Sequence, residues 1–222
     1  ASDVYKRQIE KVPKEERYNW RRSISTFSSR LRWHCHFIQK LEDEPEIEFK
    51  NMHSLYNNLR NESDSDFFLE SWKKGLTGYP MVDACMRSLI KTGWLNFRMR
   101  AMLMSFASYH LWLPWQITSK YLASLFTDYE PGIHYAQSQM QSGTTGINAI
   151  RIYNPIKQGI DHDPDGIFIK KWLPELRKIP KTNIHKPWES IEYIKEYIPP
   201  IVDEIEARKL AASKIYKLRK DK

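Results

Sequence analysis

The chain has 222 residues, 41% of them hydrophobic, a formal net charge of +8 and a pI near 9.3; it is long enough to bury a sizeable core and too apolar for a disordered chain. The basic balance points to a polyanionic partner such as nucleic acid. No apolar run reaches the roughly 18 residues of a membrane span, the first twenty residues lack a signal-peptide core, and two cysteines, Cys35 and Cys85, are few for a secreted disulfide scaffold, so a cytoplasmic setting is expected.

The spacing of apolar residues predicts helices nearly throughout. Trp20, Ile24, Phe27, Leu31, Phe37, Ile38 and Leu41 fit one face of a helix from Glu16 to Leu41. Pro45 ends it, because the residue before a proline is pushed out of the α region. A second helix is predicted from Glu46 to Arg60, and a third from Phe67 to Lys73 after a polar break. Gly75 to Pro80 reads as a turn, with Pro80 opening a helix whose buried face holds Met81, Val82, Cys85 and Leu89 and which stops at Gly93. Further helices are expected over Leu95–Leu111, Pro114–Phe126 and His134–Gln141. Asn154 to Gly166 carries turn signals, Asp163-Pro164-Asp165-Gly166 among them. After Pro199-Pro200 a last helix, Val202 to Leu218, has Ile205, Leu210, Ile215 and Leu218 as its apolar positions. This divides the chain into one helical domain, 1–198, and a basic C-terminal helix or tail, 199–222.

Several chemistries find no support. His34 and His36 point about 200° apart around a helix, so they cannot share a metal easily, and no metal site is expected. Gly143-Thr144-Thr145-Gly146 lacks the lysine and spacing of a phosphate loop, and no nucleophile elbow is present. The eight tryptophans suit a binder of flat π-systems as well as a large core.

The segment from Trp72 to Arg100, WKKGLTGYPMVDACMRSLIKTGWLNFRMR, is more specific. With Trp115, Asp128, the Arg151-Ile152-Tyr153-Asn154-Pro155 run, the DPDGIFIKKWLPEL run and Pro187-Trp188, it resembles the FAD-binding domain of photolyases and cryptochromes. The resemblance covers about Arg30 to Trp188 and implies an all-α fold with noncovalently held FAD. It places Arg100 and Asp128 as a pair beside the flavin ring and Glu130 at the ring's polar edge. It also puts Trp33, His34, Asn96, Phe97 and His134 among the cofactor contacts. Arg30, Met140, Arg151 and Lys157 fall on the DNA-facing side, and Trp115 is the retained member of an electron-carrying tryptophan chain.

Departures from the family pattern are also present. Arg30 stands where a lesion-contacting carboxylate is usual, and Met140 where an aromatic is usual. Ser138 and Glu62 replace the other two tryptophans of the chain, with Tyr109, Trp112, Tyr129 and Tyr135 near Trp115 as an alternative route. The usual phosphate-holding loop and the antenna domain are not found, so the chain reads as a truncated form. The function implied is blue-light-driven electron transfer from FAD for DNA repair. A cryptochrome-like photoreceptor without repair, and a non-catalytic flavin or nucleic-acid binding module, stand as alternatives.

Overall fold

The computed structural model describes residues 7–8, 11–60, 66–146, 149–190 and 197–220; position 62 lies outside them. The described residues form helices and turns without a strand. They fall into two compact units, Ala1–Glu48 with Glu130–Ala136, and Phe49–Tyr129 with Gln137–Lys222.

The smaller unit is built on α1, Arg17–Asp43, closed by a 3-10 turn at Pro45–Glu48. The face expected to be buried is only half covered: Ile24, Leu31, Phe37, Ile38 and Leu41 are half-buried, but Trp20, Phe27 and Trp33 are exposed. Residues Glu130–Ala136, which include the start of α6 (Pro131–Ser142), complete this unit. They pack so closely that a Cβ on Gly132 would lie 2.8 Å from the Phe37 carbonyl oxygen.

The larger unit holds α2 (Asp66–Lys74), α3 (Pro80–Thr92), α4 (Phe97–Ser105), α5 (Trp115–Leu125), the end of α6, α7 (Pro155–His162), α8 (Ile167–Trp172) and α9 (Glu204–Lys220). At its centre is α3, packed against α2, α4, α7 and α8. Met81, Val82, Ala84, Cys85, Met86 and Leu89 are all buried on it. As predicted, Pro80 opens this helix and Gly93 closes it, with the Gly93 N–H donating to the Leu89 carbonyl at 2.7 Å.

The turn before α3 has a physical logic that its motif conceals. The buried Asp83 carboxylate accepts from Thr77 N–H at 2.8 Å, Thr77 Oγ1 at 2.6 Å, Gly78 N–H at 3.0 Å and the Tyr197 hydroxyl. Gly78, at φ +80°, can bear no side chain because a Cβ would overlap the Pro199 carbonyl. Thr, Gly, Pro and Asp are thus needed together.

Four predicted stretches differ. Asn154–Gly166, read from its turn signals, is helical over Pro155–His162 (α7) and keeps the turn only at Asp163–Gly166, where Gly166 N–H donates to the Asp163 carbonyl at 2.8 Å. The helix expected over Glu46–Arg60 is replaced by 3-10 turns at Pro45–Glu48 and Ser54–Tyr56. Its backbone is satisfied from elsewhere in the larger unit: the buried Gln139 amide accepts from Met52 N–H at 2.8 Å and donates to the Lys50 carbonyl at 2.9 Å. The helix expected to run to Leu111 ends at Ser105 and passes into a π-turn, Phe106–His110. Leu111 N–H closes the turn on the Phe106 carbonyl, and Trp112 follows at φ +55°.

The last helix begins at Glu204, capped by Asp203 Oδ1 accepting from Glu206 N–H at 2.8 Å. Its buried positions are Glu204, Ala211 and Ile215, whereas Ile205 and Leu210 are exposed. Helix α9 lies against the π-turn, and Ala211 and Ile215 form one apolar cluster with Tyr56 and Tyr109.

Candidate functional site

In the larger unit Arg100 and Asp128 meet. Helix α4 presents Arg100 one turn after Asn96, and Asp128 lies in the loop after α5. One Arg100 terminal nitrogen, Nη2, donates to both Asp128 oxygens, at 2.9 and 2.8 Å. Nε donates to the Leu95 carbonyl at 2.7 Å, and the guanidinium lies 4.2 Å from the Phe126 ring centroid. Three contacts fix the plane of the guanidinium, and such charge-assisted bonds are the strong ones. The Asp128 side chain remains 50% accessible, so the pair faces outward from the core rather than being sealed within it.

Asn96 holds the start of α4. Its side-chain oxygen accepts from Met99 N–H at 3.0 Å and caps α4. Phe97, the first residue of that helix, is 60% exposed. Trp115 opens α5, is buried, and donates its indole N–H to Asn51 Oδ1 at 2.7 Å.

In the smaller unit Glu130 caps α6: its carboxylate oxygens accept from Gly132 N–H at 3.2 Å and Ile133 N–H at 3.1 Å. An anion at this end of a helix is favoured by the unsatisfied N–H groups and the macrodipole. His134 follows on the same helix, half-buried, its ring 5.3 Å from that of Tyr135. On α1, Trp33 is 52% exposed, 5.7 Å from Phe37 and 5.8 Å from His36, with His34 exposed beside it.

The residues placed on the DNA-facing side are exposed at Arg30, Arg151 and Lys157 and half-buried at Met140. Lys157 is paired with Asp161 at 2.9 Å. No cluster of metal-ligating side chains occurs among the described residues, and no described helix is long and apolar enough to cross a membrane.

Two polar groupings escaped the sequence reading. His110 is buried, stacked on Phe106 at 4.9 Å, with Nε2 3.8 Å from the buried Glu204 carboxylate. Arg60 is half-buried, its guanidinium set between the Ser108 and Ser142 carbonyls, to which it donates at 2.9 and 3.0 Å. Burial lowers its guanidinium to about 10, which leaves it charged at neutral pH. Burial also pushes the neighbouring Tyr109 phenol up to about 12. The sequence carries no local signal for either grouping, since each joins residues far apart along the chain.

Residues 27–217 match a family model described as the FAD-binding domain of DNA photolyase. A deoxyribodipyrimidine photo-lyase of Alkalihalophilus pseudofirmus is 33% identical over 86% of this chain and 42% of its own length. Cryptochrome-2 of Arabidopsis thaliana is 38% identical over 77% of this chain and 30% of its own. Among solved structures, a bacterial class III photolyase from Agrobacterium tumefaciens superposes with a TM-score of 0.81 at 28% identity, covering 99% of this chain and 46% of that one. An archaeal photolyase from Sulfolobus tokodaii, solved with two FAD molecules, gives 0.82 at 29% identity, covering 93% and 47%. The chain therefore spans less than half the length of these relatives.

Proposed function

We propose, for a chain that belongs to the photolyase/cryptochrome family by its FAD-binding domain, that it forms the flavin-holding part of a light-driven electron-transfer protein acting in DNA repair. The observation that carries the reading is the Arg100–Asp128 pair, a guanidinium held in one plane by a carboxylate, a carbonyl and the Phe126 face. These residues fit a flavin. Arg100 Nη1 has no protein acceptor among the described residues and supplies a donor with positive charge. The exposed face of Phe97 offers flat apolar contact to a ring system. The family resemblance alone adds Trp33, His34, Asn96, Glu130 and His134 to the proposed cofactor residues.

A bound flavin supplies light absorption and one-electron chemistry, and the protein supplies placement and electrostatics. Arg100 keeps positive charge beside the ring, and Asp128 stops that charge from swinging into solvent. Trp115 is the proposed electron carrier: its ring is buried, and Asn51, a neutral acceptor, fixes its N–H. Arg30, Met140, Arg151 and Lys157 are proposed to face DNA, the cations through phosphate.

A second reading has its own support. Arg30, an exposed cation, stands where the family pattern has a lesion-contacting carboxylate, and Ser138 where it has a tryptophan. The Arg30 replacement favours a cryptochrome-like photoreceptor that uses the same cofactor without repair. One experiment separates the two. The parent protein, purified with its flavin, is given dimer-containing DNA under blue light. Loss of dimers supports repair; an intact flavin spectrum with photoreduction and no repair supports the photoreceptor. Absence of flavin from the parent protein overturns both.

A further inference from the structure

Trp112 and Tyr109 are neighbours in sequence of the proposed carrier Trp115, and both are electron-rich rings. Their surroundings oppose oxidation. The Arg60 guanidinium carbon lies 4.5 Å from the Trp112 ring centroid and 5.6 Å from that of Tyr109. The Lys214 ammonium, carried by α9, lies 4.6 Å from the Trp112 centroid. Neither cation has a carboxylate partner among the described residues. Cations over an indole stabilise the neutral ring. Removing an electron from Trp112 would set a third positive charge beside two others, in surroundings less polar than water.

Tyr109 is blocked for a different reason. A phenol gives up its proton when it is oxidised, and the buried Tyr109 hydroxyl has no hydrogen-bond partner among the described residues. It is packed so tightly that a Cβ on Gly143 would fall 2.5 Å from its oxygen.

We propose that Arg60 and Lys214 guard Trp112 against one-electron oxidation, so that this ring is barred from carrying electrons to or from Trp115. Lys214 makes the last helix part of the guard. The purpose of the guard rests on the electron-transfer reading; its test does not. The full chain, without flavin, is oxidised by a photoexcited ruthenium–polypyridyl complex with persulfate as the terminal acceptor. Each tryptophan oxidised loses one electron to the oxidised complex and its indole proton to water, the resulting radical is trapped by dissolved dioxygen, and the oxygenated products are counted by peptide mass spectrometry. Trp94, exposed in the same unit, is the internal standard.

Exposure contributes to the absolute ratio of Trp112 to Trp94 products, so the changes decide. Lys214→Met keeps the aliphatic stem and removes the charge; it is expected to raise the ratio about threefold or more at low ionic strength. Added salt should raise the ratio in the wild type and not in this variant. Lys214→Arg should behave as wild type. An unchanged ratio in Lys214→Met overturns the proposal. So does a raised ratio with no salt dependence in the wild type, which would mean steric shielding. Flavin content is read separately, from the absorption spectrum of the parent protein, so failure of the guard and failure of the flavin reading are distinguishable.

Discussion

Asp83 accepts four hydrogen bonds, and burial still outweighs them and holds its carboxyl above the ordinary range. In the unfolded chain the same group titrates at its ordinary value. Between the two values the native state binds more protons, so stability falls as pH rises through that window and levels off above the folded value. Asp83→Asn should abolish this slope. It should also cost about 1–3 kcal/mol, because an amide cannot accept from every donor that now converges on the carboxylate. Urea denaturation of both proteins across the acid range checks the two expectations together. Asp128→Asn is a different case. The carboxylate is half exposed, so the loss of fold stability should stay within about 1 kcal/mol. Flavin retention by the parent protein should fall about tenfold as Arg100 loses its orientation, measured by equilibrium dialysis against free FAD. Arg100 and Asp128 were legible in the sequence because they sit in ordered motifs. Arg60, Trp112 and Lys214 were not, because only the folded chain brings them together.

Helices with punctuation were the legible elements. Pro80 and Gly93 bound α3 where the sequence places them, and Pro114 precedes α5. Where the helix over Glu46–Arg60 fails, a distant side chain replaces local hydrogen bonding. Gln139 serves the backbone at Lys50 and Met52, so that stretch need not close helical turns of its own. Ser105 Oγ accepts from Tyr153 N–H at 3.2 Å, and the Ser108 and Ser142 hydroxyls meet at 2.9 Å, where α4 gives way to the π-turn. On α9 the predicted apolar face holds at Ile215 and Leu218 and fails at Ile205 and Leu210. Ile215 is buried against Tyr56 and Tyr109, whereas Leu210 is 57% exposed. Ile215→Ala should therefore cost about 2–5 kcal/mol, and Leu210→Ala should stay within about 0.5 kcal/mol. Shifts of the denaturation midpoint in the two variants decide which face is inside.

Across the whole molecule the net charge of +8 was legible from composition, and its bearing on DNA is a matter for measurement. If Arg30, Arg151 and Lys157 meet phosphates, affinity for DNA should fall steeply with salt as counterions are released. Replacing any one of them by Gln should then reduce the log–log slope by about one. Fluorescence anisotropy of labelled duplex across a salt series checks this, and a flat profile would leave the charge to solubility. The family was legible because its motifs lie in order along most of the chain. The division into units was not, since residues Glu130–Ala136 join the first helix from far along the sequence.

The contact between Tyr197 and Asp83 has a consequence for the order of events during synthesis. The two residues are separated by 114 positions, and α9 supplies Ala211 and Ile215 to the cluster of Tyr56 and Tyr109 later still. A nascent chain that has exposed only its first half holds a carboxylate without its phenol and two tyrosines without their cover. Contacts of such long range form late, because their loop-closure entropy must be met before they contribute. The larger unit should therefore remain protease-sensitive on the ribosome until the final helix has left the exit tunnel. A chain ending at residue 198 should be insoluble where the full one is not. Pulsed proteolysis of stalled nascent chains of increasing length would locate the step: protection appearing only when α9 is clear of the tunnel fits this order, and protection gained before residue 197 emerges would contradict it.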